Sequence, residues 1–163
     1  MAIVVEDGTG DNPAANSYGD TTGLIAYALA RGIVIAPETA EKNLIVGMDW
    51  FEAQPFPGTK TSETQPLQFP REDFYIDGYL IADDEIPNLV VECEYEAAIA
   101  DAQGNSQIAT QSRVVKRVQV GTISKEYADN SPSKAIPTAL YNKFQRLMGS
   151  GFNNGFEFKV SEG

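Results

Sequence analysis

The chain has 163 residues, 42% of them apolar, with one cysteine and no histidine; this suffices for one domain whose core needs no metal or disulfide staple. The missing histidine removes the commonest general base, the usual triad base and the commonest metal ligand, and Cys93 alone forms no internal disulfide. With 23 acidic against 12 basic residues the net charge is −11, which disfavours general adhesion to DNA; plain solubility and a surface that DNA passes without sticking are the two readings of that acidity.

No apolar run approaches the roughly 20 residues of a membrane span. Residues 1–5 run straight into Glu6 and Asp7 without the basic flank of a signal peptide. The expectation is a soluble protein made in a cytoplasm. Residues 6–18 are polar and turn-rich and predict a loop. A first helix follows Asp20-Thr21-Thr22, any of which is a suitable cap. Leu24, Tyr27 and Ala28 share one side of it, and Gly32 is placed to end it. The second helix opens at Pro37. Its Ala40, Leu44, Met48 and Phe51 recur at three- and four-residue spacing, widened by Ile45 and Trp50.

Residues 55–80 form a long connection punctuated by Pro55, Pro57, Gly58, Pro66, Pro70 and Gly78. A structureless loop of this length is unusual and often functional. Its aromatics, Phe56, Phe69, Phe74, Tyr75 and Tyr79, predict that it is packed down. The third helix is expected to start under the negative charge of Asp83-Asp84-Glu85, favourable to the helix dipole, with Pro87 in its first turn. Ile86, Val90, Cys93, Ala97 and Ala100 lie on one face, with Glu92, Glu94 and Glu96 mostly on the others, and Gly104 ends it.

Residues 113–127 change period. β-branched residues around Gly121-Thr122 predict a β-hairpin, and Arg113, Lys116, Arg117 and Lys125 make it the only basic segment. A last helix begins between Ser133 and Pro137, with Leu140, Phe144 and Leu147 as its stripe and Gly149 as its stop. The expected architecture is mainly α: a small bundle of about four helices with a β-hairpin in residues 1–148, and an extended C-terminal arm over 149–163.

None of the chemistry-bearing clusters outweighs a structural reading. The acidic triplet 83–85 points in several directions from a helix start. Asp7-Gly8-Thr9-Gly10-Asp11 lacks the spaced ligands and closing Glu of a calcium loop. Cys93 sits on an apolar face without an activating base. The glycine pairs continue into no phosphate-binding pattern. No catalytic, cofactor or metal site is expected, and the chain reads as a non-enzyme. Two segments stand out. The basic hairpin either contacts nucleic acid, with Tyr127 as a stacking ring, or guards an edge and meets acidic neighbours. Phe152, Phe156 and Phe158 near the C-terminus either fold back onto the core or serve as an arm added to a partner.

A series of short motifs runs in order along the chain: Glu6-Asp7-Gly8-Thr9-Gly10, Ala15-Asn16-Ser17-Tyr18, Ala28-Leu29-Ala30-Arg31-Gly32, Asp49-Trp50-Phe51, Gln65-Pro66-Leu67-Gln68-Phe69-Pro70-Arg71, Asp77-Gly78-Tyr79, Asp84-Glu85-Ile86-Pro87, and Val118-Gln119-Val120-Gly121-Thr122-Ile123-Ser124-Lys125-Glu126-Tyr127. Over residues 3–130 this series resembles the head-to-tail connector, or adaptor, family of tailed bacteriophages, whose profile carries a label as a DnaT-like single-stranded-DNA-binding protein. Phe69 stands where that family usually has tryptophan.

The resemblance implies a structural virion protein at the phage neck. It implies a homo-oligomeric ring, commonly of twelve copies, bound to the portal protein and to a downstream neck or tail protein. DNA would pass through its lumen without specific binding. By the same analogy Phe144, Leu147, Phe152, Phe156 and Phe158 face the portal, while in a chain of net charge −11 the hairpin residues Arg113, Lys116, Arg117, Lys125 and Tyr127 are expected to contact a subunit or neck protein. The alternative is a single-stranded-DNA-binding or replication accessory module, suggested by the profile label and the basic hairpin.

Overall fold

The computed structural model describes residues 2–105, 117–120, 123–126 and 137–149. Among them are four helices, α1 (Thr21–Leu29), α2 (Pro37–Glu52), α3 (Asn88–Ala102) and α4 (Thr138–Met148). Six short strands pair as three antiparallel hairpins: β1 (Thr59–Lys60) with β2 (Arg71–Glu72), β3 (Tyr75–Ile76) with β4 (Tyr79–Leu80), and β5 (Arg117–Val120) with β6 (Ile123–Glu126). The fold is the mainly α one that the periodicity predicts. The expected hairpin is β5–β6, with Arg117 opposite Glu126 and Val120 opposite Ile123. The other two hairpins lie inside the 55–80 connection. The arm, from residue 150 on, lies outside the described residues.

Helix starts and stops follow local chemistry. The Asp20 carboxylate accepts from the Gly23 N–H at 2.6 Å and caps α1. Pro37 opens α2, where its missing N–H is no loss. Gly149 ends α4 with φ +64°, a left-handed angle that costs glycine least. The stripes Ala40, Leu44, Met48, Phe51 and Leu140, Phe144, Leu147 are buried as their spacing predicts.

α3 departs from expectation at both its start and its faces. Pro87 is its N-cap, and its first turn holds no acidic residue. Proline disfavours helical geometry at the residue before it, so the helix cannot reach back to Asp83-Asp84-Glu85, and the dipole does not account for that triplet. The helix is also buried nearly all round. It packs against α1, α2 and α4, so Glu94 and Glu96 are buried and Glu92 is half-buried, where the helical wheel places them outward. α2 and α3 approach closely at Gly47: a Cβ there would stand 2.7 Å from the Ala98 nitrogen and 2.9 Å from the Glu94 carbonyl oxygen.

Glu94 fastens the N-terminal segment to the bundle. Its Oε2 accepts from the backbone N–H groups of Tyr18 at 3.0 Å and Gly19 at 2.9 Å. Ser17 Oγ lies 2.5 Å from Glu94 Oε1 and 2.7 Å from the Gly19 carbonyl oxygen. A hydroxyl has one proton to give. Ser17 thus shares its one proton between two acceptors, the Glu94 carboxyl and the Gly19 carbonyl. Burial, with Glu52 as a further like charge, pushes the Glu94 carboxyl up to about 8, against the lowering effect of the three hydrogen bonds.

Two tests follow from this packing. Helix propensity favours alanine over glycine by about 1 kcal/mol, but at position 47 the clash is with backbone and no rotamer relieves it. Gly47→Ala should therefore lower the stability measured by denaturant titration, by about 1–3 kcal/mol. For Glu94 the folded pKa lies above the unfolded one, so the native state binds the extra proton. Stability should fall as pH rises from about 4.5 to about 8 and level off above that. Glu94→Gln keeps the neutral shape and hydrogen-bonding capacity. It should flatten that slope and be more stable than the native chain above pH 8; an unchanged slope would show that Glu94 is not the group.

Candidate functional site

The connection 55–80 is a built structure, and two polar side chains organise it. Arg71 is buried, and its guanidinium uses all five donors. Nε donates to the Pro57 carbonyl at 2.7 Å. Nη1 donates to the Gln68 carbonyl at 3.1 Å and to Gln68 Oε1 at 2.7 Å. Nη2 donates to the carbonyls of Phe56 at 3.1 Å and Gly58 at 2.7 Å. Gln65 is equally saturated. Its Oε1 accepts from Thr61 and Ser62, and its Nε2 donates to the carbonyls of Leu67 and Pro70. Tyr18 ties the loop to α2: its hydroxyl donates to Glu52 Oε1 at 2.7 Å and accepts from the Phe69 N–H at 3.0 Å. With its backbone satisfied, the loop lays Phe56, Leu67, Phe69, Phe74 and Ile76 into the core. Phe69 packs against the rings of Tyr18, Phe51, Phe56 and Phe74.

The β3–β4 hairpin projects from this anchored loop. Asp77 and Gly78 form its two-residue turn with φ of +52° and +86°. This is the mirror-image turn that matches strand twist, for which Asp-Gly is a favoured pair. Ile76 is buried and pins the ribbon. Tyr75, its neighbour on the other face, is 51% exposed, and Tyr79 is 77% exposed. Opposite the turn stands α4, its apolar stripe in the core against Trp50 and Phe56. A groove of about 570 Å³ lies between them, lined by Tyr75, Asp77, Gly78, Asn142, Gln145, Arg146 and Gly149.

One ion pair spans this groove. Arg146 Nε lies 3.1 and 3.3 Å from the two Asp77 carboxylate oxygens, and its Nη2 contacts Oδ2 as well. Arg146 holds the Asp77 carboxyl below the usual carboxylate range. Both side chains are about half exposed, so the pair contributes little to stability. Beside it, Gln145 Nε2 donates to the Tyr141 hydroxyl at 2.7 Å. The groove thus offers an aromatic face, amides that both donate and accept, and a guanidinium already gripping an anion.

The residues proposed from sequence fare unevenly. Phe144 and Leu147 are 1% and 0% exposed. They belong to the α4 core stripe and are not available to a portal protein. Arg113, Lys116, Tyr127, Phe152, Phe156 and Phe158 lie outside the described residues, while Arg117 and Lys125 stand on β5 and β6. The Cys93 thiol is buried and pushed up to about 12 by that burial, as suits an apolar packing residue. Sequence reasoning passes over the groove. It counts Tyr75 and Tyr79 among the packed aromatics, where the structure leaves both exposed. The available signal was Asp77-Gly78 between two short β-prone pairs, because a two-residue turn sends Ile76 inward and so Tyr75 outward.

One family model matches the chain, over residues 1–163, and its description is "Putative DnaT-like ssDNA binding protein". The chain belongs to this family. No curated protein and no solved structure matches it. The finding overturns the assignment to phage head-to-tail connectors, and with it the portal and neck partners, the twelve-copy ring, the virion role and the expectation that DNA passes unbound. The physical reason lies in what the motifs do. Glu6 accepts from the N–H groups of Gly8 and Gly10, Ser17-Tyr18 engage Glu94, and Gln65 and Arg71 hold the long loop. They specify a scaffold, and a scaffold does not determine function.

The Arg71 network yields a direct test. Lysine keeps the charge but not the planar fork. Arg71→Lys should leave at least two of the five acceptors unsatisfied and cost about 3 kcal/mol in denaturant titration. A loss below about 1 kcal/mol would mean that the loop holds without it.

Proposed function

We propose that this protein binds single-stranded DNA as a non-enzymatic accessory module. The observation that carries the reading is the family match along the entire chain. Two physical features support it. The sequence concentrates Arg113, Lys116, Arg117 and Lys125 in one segment of an otherwise acidic chain, and Lys and Arg neutralise phosphates. The β3–β4 hairpin exposes Tyr79 and, beside Arg146, Tyr75, and exposed rings are the platforms on which unpaired bases stack. The basic residues therefore act on the DNA backbone in this reading, in place of a subunit or neck contact.

Net charge sets the expected strength and its salt dependence. At −11 the protein as a whole repels DNA, so affinity must come from short-range stacking and a few local cations. Fluorescence anisotropy with a labelled oligonucleotide at low salt should show binding of single strands in preference to duplex. Four phosphate contacts on a single strand correspond to a slope of log K against log salt of roughly −3. Replacing Lys116 and Arg117 with alanine should make that slope shallower by about 1.4. Absence of binding at low salt, or equal affinity for duplex, would remove the reading.

A further inference from the structure

We propose that the groove between the β3–β4 turn and α4 is a single-nucleotide subsite, in which Tyr75 stacks a base and Arg146 exchanges Asp77 for the adjoining phosphate. This inference rests on the single-stranded-DNA reading and assigns it a place.

The groove, of about 570 Å³, is open to solvent and sets an aromatic ring, two amides and an ion pair side by side. Its walls are rigid for a reason: Phe74 and Ile76 anchor the ribbon in the core, and Leu140, Phe144 and Leu147 anchor α4. A binding group held on elements fixed in this way loses little freedom when it engages. Tyr75 spends half its surface on solvent although its neighbours on either side are buried. A ring in that setting offers its face to another flat apolar group, and an unpaired base is one; a base inside a duplex is already stacked and is not available to it.

The Arg146–Asp77 pair supplies the second half. A guanidinium fork that grips a carboxylate with two nitrogens fits a phosphate in the same way. Asp77 therefore stands where a phosphate would stand. Because the pair is exposed on both sides, trading one anion for another is cheap. Asn142 and Arg146 are four residues apart on α4, with Gln145 beside them, so all three line one face of the groove. Amide side chains both donate and accept and suit the edges of any base. Asp77 acts as a built-in competitor that keeps weak anions out until base stacking adds to the exchange.

The test uses the full chain, a fluorescein-labelled oligothymidylate and four variants. Tyr75→Ala should weaken binding about ten-fold, within the stacking range found by alanine substitution, while Tyr75→Phe keeps the native affinity. Arg146→Ala should weaken binding and make the salt slope shallower by about 0.7. Asp77→Asn should tighten binding, since asparagine also tolerates the left-handed turn angle and releases Arg146 from a competing anion. Photo-crosslinking with an iodouracil oligonucleotide should place the adduct on the peptide that contains Tyr75. All three positions are exposed or half-exposed, and circular dichroism checks the folding of each variant. If the native chain binds the oligonucleotide and Tyr75→Ala and Arg146→Ala bind equally well, the subsite is elsewhere and the general DNA reading survives. If Asp77→Asn weakens binding, the exchange of Asp77 for phosphate is wrong. If the native chain does not bind, the DNA reading itself falls.

Discussion

Everything that projects from this bundle depends on one buried cation whose five donors are all used. Arg71 gathers four backbone carbonyls and a side-chain amide from residues 56–68. Without it those carbonyls would sit in a loop with few strand partners, and unpaired buried carbonyls are expensive. With it, a run broken by four prolines packs like a secondary-structure element and commits Phe56, Phe69 and Phe74 to the core. The β3–β4 hairpin starts four residues after Arg71. Its turn, its exposed tyrosines and its grip on Arg146 inherit their position from that hub.

The acidity of the chain looks different once its carboxyl groups are placed. Glu94 is buried, its carboxyl raised by that burial and held by Ser17 and the N–H groups of Tyr18 and Gly19. Glu6 is buried, with Oε1 held by two backbone N–H groups of its own loop. Glu96 is buried, accepts from the Tyr27 hydroxyl and pairs with Arg31, which lies 3.3 Å over the Tyr27 ring. Glu52 serves the Tyr18–Gln68 junction. Part of the formal −11 is thus structural, in carboxyl groups committed to hydrogen bonds inside the fold. A protein with this formal charge can engage DNA if its exposed cations are clustered, and the sequence clusters four of them between residues 113 and 125.

Periodic features were legible and non-periodic ones were not. The stripes of α2 and α4, the cap at Asp20, the stop at Gly149 and the β5–β6 hairpin follow from spacing and turn chemistry within a few residues of one another. The burial of Glu94 and Glu96 does not, because a helical wheel knows only its own helix, and α3 is enclosed by three others. Arg71 and Gln65 are visible as residues but not as a network, since their partners are backbone groups that no side-chain pattern reveals. The motif series led to phage connectors for the same reason: its members maintain loops and helix junctions, which proteins of different function share when they share a fold. Tyr75 was misplaced because aromatics in a long connection are usually buried, and one residue of strand parity decides otherwise.

The division of labour between core and rim explains why the groove and not the aromatic stripe carries the binding proposal. Phe144 and Leu147 are consumed in holding α4 against Trp50 and Phe56, and a side chain with no exposed surface has none to offer a partner. One turn away on the same helix, Asn142, Gln145 and Arg146 do no core work, and Tyr75 stands in the same relation to Ile76 on its hairpin. Each functional candidate is the outward neighbour of a residue the fold cannot release. That arrangement permits change at the rim without loss of the scaffold. It also fixes the rim groups within a narrow geometry, as stacking and bidentate anion binding require. The Arg146–Asp77 contact is then best understood as a joint between two independently anchored elements, weak enough to open for a phosphate and directional enough to keep the guanidinium aimed into the groove while it waits.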